Sequence, residues 1–185
     1  MLSIQGKTKS PLRMIDRKMD KMANVTVLGS GTMGHGIAQI AAMAGFKVLL
    51  RDVEQRFLDS AMDKIKWSLN KMVEKNKLTR ESFEQTLSRL EPVVDLKEGL
   101  KGADLVIEAV PEDLSLKRVV YKEVSSYADP KTVFASNTST LPISEMADLT
   151  DRPGSFIGLH FFNPPQLMKL VEVIRGRETD QSTVE

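Results

Sequence analysis

The sequence predicts an α/β fold: a doubly wound, mostly parallel sheet with a helical hairpin inserted in one crossover. Three observations predict it. Short apolar or β-branched runs alternate with helical periods from Asn24 onward. The turn Gly29-Ser30-Gly31-Thr32-Met33-Gly34 joins the first run to the first helix, and an acid, Asp52, closes the second run. Such alternation builds parallel strands with helices packed on both faces.

Size and composition set the bounds. A chain of 185 residues holds one domain with a full core and is too short for two large ones. Its net charge of +1 gives no general case for nucleic acid or an anionic membrane. Residues 1–22 carry six bases and two acids, a net of +4 that leaves −3 for the remainder. This leading segment has no clear period, and Met14, Met19 and Met22 offer later starts. Residues 1–23 are therefore expected to be a disordered basic extension or an overlong reading frame. Cysteine is absent, so disulfides and thiolate metal sites are excluded and no metal is expected. That composition suits a reducing compartment, the cytoplasm first and the mitochondrial matrix as the alternative. No apolar run approaches membrane-spanning length.

The elements follow in order. Val25 to Leu28 is the first strand, and the helix behind the glycine turn runs from Gly36 to Ala44, ended by Gly45. Lys47 to Arg51 is the second strand. A long helix covers about Glu54 to Lys75, because Leu58, Met62, Ile65, Leu69 and Met72 recur at helical spacing. Thr79 caps a second helix reaching Leu90, with Phe83 and Leu87 on one face. Together these two make the inserted hairpin. Pro92 to Val94 is a third strand and Ala103 to Ala109 a fourth. A helix over about Leu114 to Tyr127 leads to a fifth strand, Thr132 to Ala135. Pro142 to Ala147 is a short helix. Two strands finish the pattern, Phe156 to Leu159 and Leu170 to Ile174.

The glycine turn sits between a strand and a helix, and Asp52 lies 23 residues after Gly29 at the end of the next strand. This is the context of a dinucleotide-binding Rossmann unit. Gly29 makes the turn, Gly31 lets a pyrophosphate approach, and Gly34 packs the helix close. Thr32 and Met33 lie between them, where helix amides bind phosphate. Asp52 would accept hydrogen bonds from ribose hydroxyls and repel a 2′-phosphate, so NAD is favoured over NADP. Arg51 and Arg56 stand nearby as bases that such a phosphate would attract. His35 is assigned no role.

Four small polar residues, Ser136-Asn137-Thr138-Ser139, follow the fifth strand at the carboxyl edge where open α/β sheets bind ligands. They suit either a helix cap or the lining of a pocket. Lys64, Ser68, Lys71 and Lys75 form one helical stripe, either simply solvated or a landing strip for a substrate with several phosphates. His160 ends the Phe156 strand, and Glu172 lies twelve residues on, within the apolar final strand. An acid in apolar surroundings needs a partner, and an imidazole on the neighbouring strand is the cheapest one. A carboxylate on one ring nitrogen fixes the tautomer and leaves the other to accept a proton. From these two residues alone, a core histidine beside a satisfied edge-strand acid explains the pattern equally well.

Taken together, the runs Val27 to Ala38, Glu108 to Glu112, Phe134 to Ser139, Gly158 to Pro165 and Met168 to Ile174 closely resemble the NAD-binding domain of the L-3-hydroxyacyl-CoA dehydrogenases. They come in family order over roughly residues 24–175. The resemblance implies oxidation of a (3S)-3-hydroxyacyl-CoA to the 3-ketoacyl-CoA with NAD+, of the fatty-acid β-oxidation type or its reverse. It implies that His160 takes the hydroxyl proton, Glu172 orients His160, Ser139 bonds the reacting oxygen and Asn163 helps hold the pocket. It places Glu112, Lys117 and Asn137 beside the cofactor, and Ser68 and Lys75 against CoA. The family continues into a helical domain that dimerises and closes over the substrate, whereas this chain stops at Glu185. A homodimer is therefore expected of a full-length form, while this piece is expected to bind NAD and turn over weakly. The competing readings are an NAD-dependent dehydrogenase of a free hydroxy or sugar acid, and a non-catalytic NAD-binding module.

Overall fold

The structure, a computed structural model, describes residues 23–185, so the expected extension lies outside the described residues except for Ala23. Seven strands form one sheet: β1 (Asn24–Leu28), β2 (Lys47–Arg51), β3 (Leu90–Val93), β4 (Leu105–Glu108), β5 (Val133–Ser136), β6 (Phe156–Phe161) and β7 (Val171–Arg175). Their order is β3-β2-β1-β4-β5-β6-β7. The first six run parallel, and β7 returns antiparallel to β6. The helices are α1 (Gly34–Met43), α2 (Gln55–Glu74), α3 (Arg80–Ser88), α4 (Leu96–Gly99), α5 (Leu114–Tyr127), α6 (Ile143–Ala147) and α7 (Gln181–Val184).

Side chains alternate across the strands and feed two cores. Val27 and Ile107 join Ile37, Ile65 and Leu69 in one cluster, under α1 and α2. Their neighbours Leu28 and Val106 join Tyr121, Phe134, Met146 and Phe156 in the other, under α5 and α6. The hairpin is built as its period predicts. Leu58, Ile65 and Leu69 of α2 are fully buried, worth roughly 1.5–3 kcal/mol each. Thr79 caps α3, its Oγ1 accepting the Ser82 N–H at 3.1 Å.

Three expectations need correction. The helices α4 and α7 were not expected, because four residues are too few to show an apolar period. β6 extends two residues beyond Leu159, so His160 lies inside the strand rather than at its end. The final strand is not an apolar interior: every residue of β7 is exposed, because it is the sheet edge. Glu172 therefore escapes the desolvation that was expected to force its pairing.

Candidate active site and cofactor crevice

A crevice of about 750 Å³ opens where β1, β2, β4 and β5 end. Gly29, Gly31, Thr32 and Met33 line one side and Asp52 the far end, with Glu112, Lys117, Asn137 and Ser139 opposite. Gly34 is fixed by close approach, since a Cβ there would stand 1.7 Å from the Gly29 carbonyl oxygen. Two features suit a dinucleotide. A Cβ on Gly31 would meet nothing within 4 Å, so the space above that glycine is open to a ligand. The N-terminus of α1 also has no side-chain cap and no acid in its first turn, which leaves its amides to a pyrophosphate.

Asp52 is locked by its neighbours. Its Oδ2 accepts the Ser30 N–H at 2.7 Å and the Ser30 hydroxyl at 2.6 Å, and its Oδ1 accepts the Val53 N–H at 2.7 Å. The two bases that could attract a 2′-phosphate are engaged elsewhere. Arg51 donates to the Val94 carbonyl at 3.2 Å, and Arg56 pairs with Glu54 at 2.8 Å over the Phe57 ring.

Beneath the crevice, at the end of β4, lies a polar cluster that the sequence reading missed as a unit. Glu108 is 0% exposed and Lys117 1% exposed. Lys117 Nζ donates to both Glu108 oxygens, at 3.0 and 2.9 Å. Glu108 also accepts the Val110 N–H at 2.9 Å, the Ser136 hydroxyl at 2.7 Å and the Tyr121 hydroxyl at 3.4 Å. Burial first, and then the Glu108 charge, push the Tyr121 phenol well above its ordinary range. Lys117, expected beside the cofactor, does line the crevice, and its ammonium is held between Glu108 and Glu112, 2.8 Å from the latter. Glu112 also accepts the Thr138 hydroxyl, and the Thr140 hydroxyl at 3.1 Å. Burial by itself would raise the Glu112 carboxyl. The hydrogen bonds from Lys117 and Thr138, with the Lys117 charge, outweigh it and hold the group below the usual carboxylate range. The signal for this cluster was present: Glu108 ends an apolar strand, and that rule was applied only to Glu172.

His160 and Glu172 are directly opposite in the β6–β7 register. The Nδ1–H of His160 donates to Glu172 Oε2 at 2.8 Å, which leaves Nε2 as the acceptor. His160 is 19% exposed and Glu172 48%. Neither lines the crevice. Asn137 supplies the link, its Oδ1 accepting the Phe161 N–H at 3.0 Å while its own residue lines the cofactor side. Thr138 Oγ1 accepts the Leu141 N–H at 3.0 Å, so the polar run serves both as a local cap and as lining.

Other expected site residues scatter. Asn163 is exposed and outside the crevice lining, just before a cis peptide bond to Pro164. The loop after it rests on α1, where a Cβ on Gly36 would come within 2.7 Å of Gln166 Oε1 and 3.0 Å of Pro165 Cδ. Ser68 is buried, so the lysine stripe is broken at its second member. Lys64 lines the crevice, Lys71 pairs with Glu74 at 2.7 Å, and Lys75 is the C-cap of α2. Among the described residues no helix is long and apolar enough to cross a membrane, and no acid–histidine group suits a metal.

Comparison with known proteins decides the family. The sequence profile of the 3-hydroxyacyl-CoA dehydrogenase NAD-binding domain matches residues 24–185. The chain belongs to that family. NAD is accordingly the cofactor of this domain. A probable 3-hydroxybutyryl-CoA dehydrogenase of Deinococcus radiodurans is 45% identical over 157 residues, covering 85% of this chain and 56% of the relative. The crystal structure of 3-hydroxybutyryl-CoA dehydrogenase from Escherichia coli K12 superposes with a TM-score of 0.85 at 44% identity, covering 88% of this chain and 34% of that one. A diketoreductase that acts on dicarbonyl compounds superposes with a TM-score of 0.82 at 37% identity, covering 88% and 58%. The chain spans about half or less of the length of the curated relatives it matches.

Proposed function

We propose that this chain is the NAD-binding and proton-abstracting part of a dehydrogenase that oxidises (3S)-3-hydroxyacyl-CoA to 3-ketoacyl-CoA. The carrying observation is the His160–Glu172 pair, 2.8 Å apart across β6 and β7 and tied through Asn137 to the crevice. Bound NAD+ would supply the acceptor for the hydride leaving C3 of the substrate. Nε2 of His160 takes the hydroxyl proton at the same time. Glu172 holds the imidazole in the required tautomer and stabilises the imidazolium that forms. Ser139, on the crevice wall, hydrogen-bonds the reacting oxygen, and Asn163 helps close the substrate side. Asp52 receives the adenosine ribose, and the uncapped start of α1 receives the pyrophosphate. Lys75 meets the phosphates of CoA, whereas Lys64 lines the cofactor crevice and buried Ser68 serves packing. A partner domain completes the pocket and mediates dimerisation in the longer protein.

A second reading has one specific support, the similarity to a diketoreductase that acts on dicarbonyl compounds. In that reading the same dyad oxidises a free hydroxy compound. The test is calorimetric titration of the 185-residue chain with NAD+, NADP+ and acetoacetyl-CoA, followed by turnover of 3-hydroxybutyryl-CoA against free 3-hydroxybutyrate. The expected result is binding of NAD+ and not NADP+, with slow turnover of the thioester alone. Equal turnover of the free acid would move the assignment to the second reading, and no binding of NAD+ would remove both.

A further inference from the structure

The two ends of the crevice balance their charges differently. At the β2 end, Asp52 shares the lining with two cations, Arg51 and Lys64. At the β4–β5 end, the single cation of the described lining, Lys117, lies between Glu108 and Glu112. One ammonium neutralises one carboxylate. Glu108 is wholly buried and takes both oxygens' worth of Lys117, so the uncompensated negative charge falls on Glu112, whose side chain is 40% exposed at the rim. Both Glu112 oxygens already accept hydrogen bonds, Oε2 from Lys117 and Oε1 from Thr138 and Thr140. The carboxylate is thus pinned and has little capacity left to grip a ligand directly. What it offers is a fixed charge.

NAD+ and NADH differ in charge only at the nicotinamide ring, which is cationic when oxidised and neutral when reduced. Granting the reading above, which puts that ring at the β4–β5 end, we propose that Glu112 is a specificity-determining residue that favours the oxidised cofactor over the reduced one. A pinned carboxylate acts through its field, so its effect follows ligand charge rather than ligand shape. It strengthens binding of the reactant form and does nothing for the product form.

The test compares dissociation constants of NAD+, NADH and ADP-ribose on the 185-residue chain and on Glu112→Gln, which keeps the size and one acceptor oxygen. The Kd for NAD+ should rise about three- to ten-fold in Glu112→Gln, while those for NADH and ADP-ribose stay within about two-fold. Glu112→Asp, which keeps the charge, should hold the ratio of NAD+ to NADH constants near that of the unmodified chain. Equal weakening of all three ligands in Glu112→Gln, or an unchanged ratio, overturns the inference and leaves the dehydrogenase reading standing. Failure of the unmodified chain to bind NAD+ overturns both.

Discussion

Glu108 and Glu172 each interrupt an apolar strand and each has a basic partner, yet their surroundings are opposite. Glu108 is 0% exposed and is satisfied by an ammonium, a main-chain amide and two hydroxyls. Glu172 is 48% exposed on an edge strand and keeps one partner, His160, set by strand register. A buried carboxylate must have its lone pairs occupied or it costs several kcal/mol. An exposed one is paid for by water, and is free to serve chemistry. The same residue type in the same kind of sequence context therefore does structural work at one place and, in the proposed reaction, chemical work at the other.

The strongest way to break that contrast is to orphan the buried acid. Lys117→Met would leave Glu108 charged and unpaired, and should destabilise the fold by about 3–5 kcal/mol in urea unfolding. The double variant Glu108→Gln/Lys117→Met removes both charges and should recover most of that loss. If Lys117→Met unfolds near the parent midpoint, Glu108 is not held as a buried charge.

The matching change at the exposed acid should do the reverse. Glu172→Gln should leave unfolding within about 0.5 kcal/mol of the parent, as exposed pairs contribute little. Turnover by the complete enzyme should instead fall roughly 10- to 1,000-fold, because the imidazole loses its orienting charge. A variant that loses stability and keeps its rate would invert the comparison.

How far the sequence carried these distinctions depended on periodicity. The alternation of strands and helices and the apolar face of α2 were legible from their periods, and the glycine turn from its glycine spacing between a strand and a helix. The His160–Glu172 partnership was also legible, though for an incorrect reason: burial was expected to force it, and antiparallel register brings it about. That Glu108 needs partners was legible from its place at the end of an apolar strand, but which ones was not, because Lys117, Tyr121 and Ser136 come from α5 and β5, and spacing along a chain does not encode which helix covers a strand end. Ser68 failed similarly. Its place on a lysine stripe suggested exposure, yet it is among the buried residues of α2.

Glu112 lies between the two extremes and so sharpens the contrast. It shares Lys117 with Glu108 but is 40% exposed, and its carboxyl is held below the usual range by its hydrogen bonds and the ammonium against the opposing effect of burial. A group whose folded pKa is depressed adds stability above its unfolded value, near 4.5 here, and loses it as pH falls through the folded value. Parent protein should therefore lose stability on acidification below that point by more than Glu112→Gln does. With so much of the side chain in solvent, the difference between the two slopes should amount to less than about 1 kcal/mol. Urea unfolding of both proteins at neutral pH and again in the acid range would show it. Parallel loss in the two would place the acid sensitivity on other carboxylates, and would mean that Lys117 is committed to Glu108 alone.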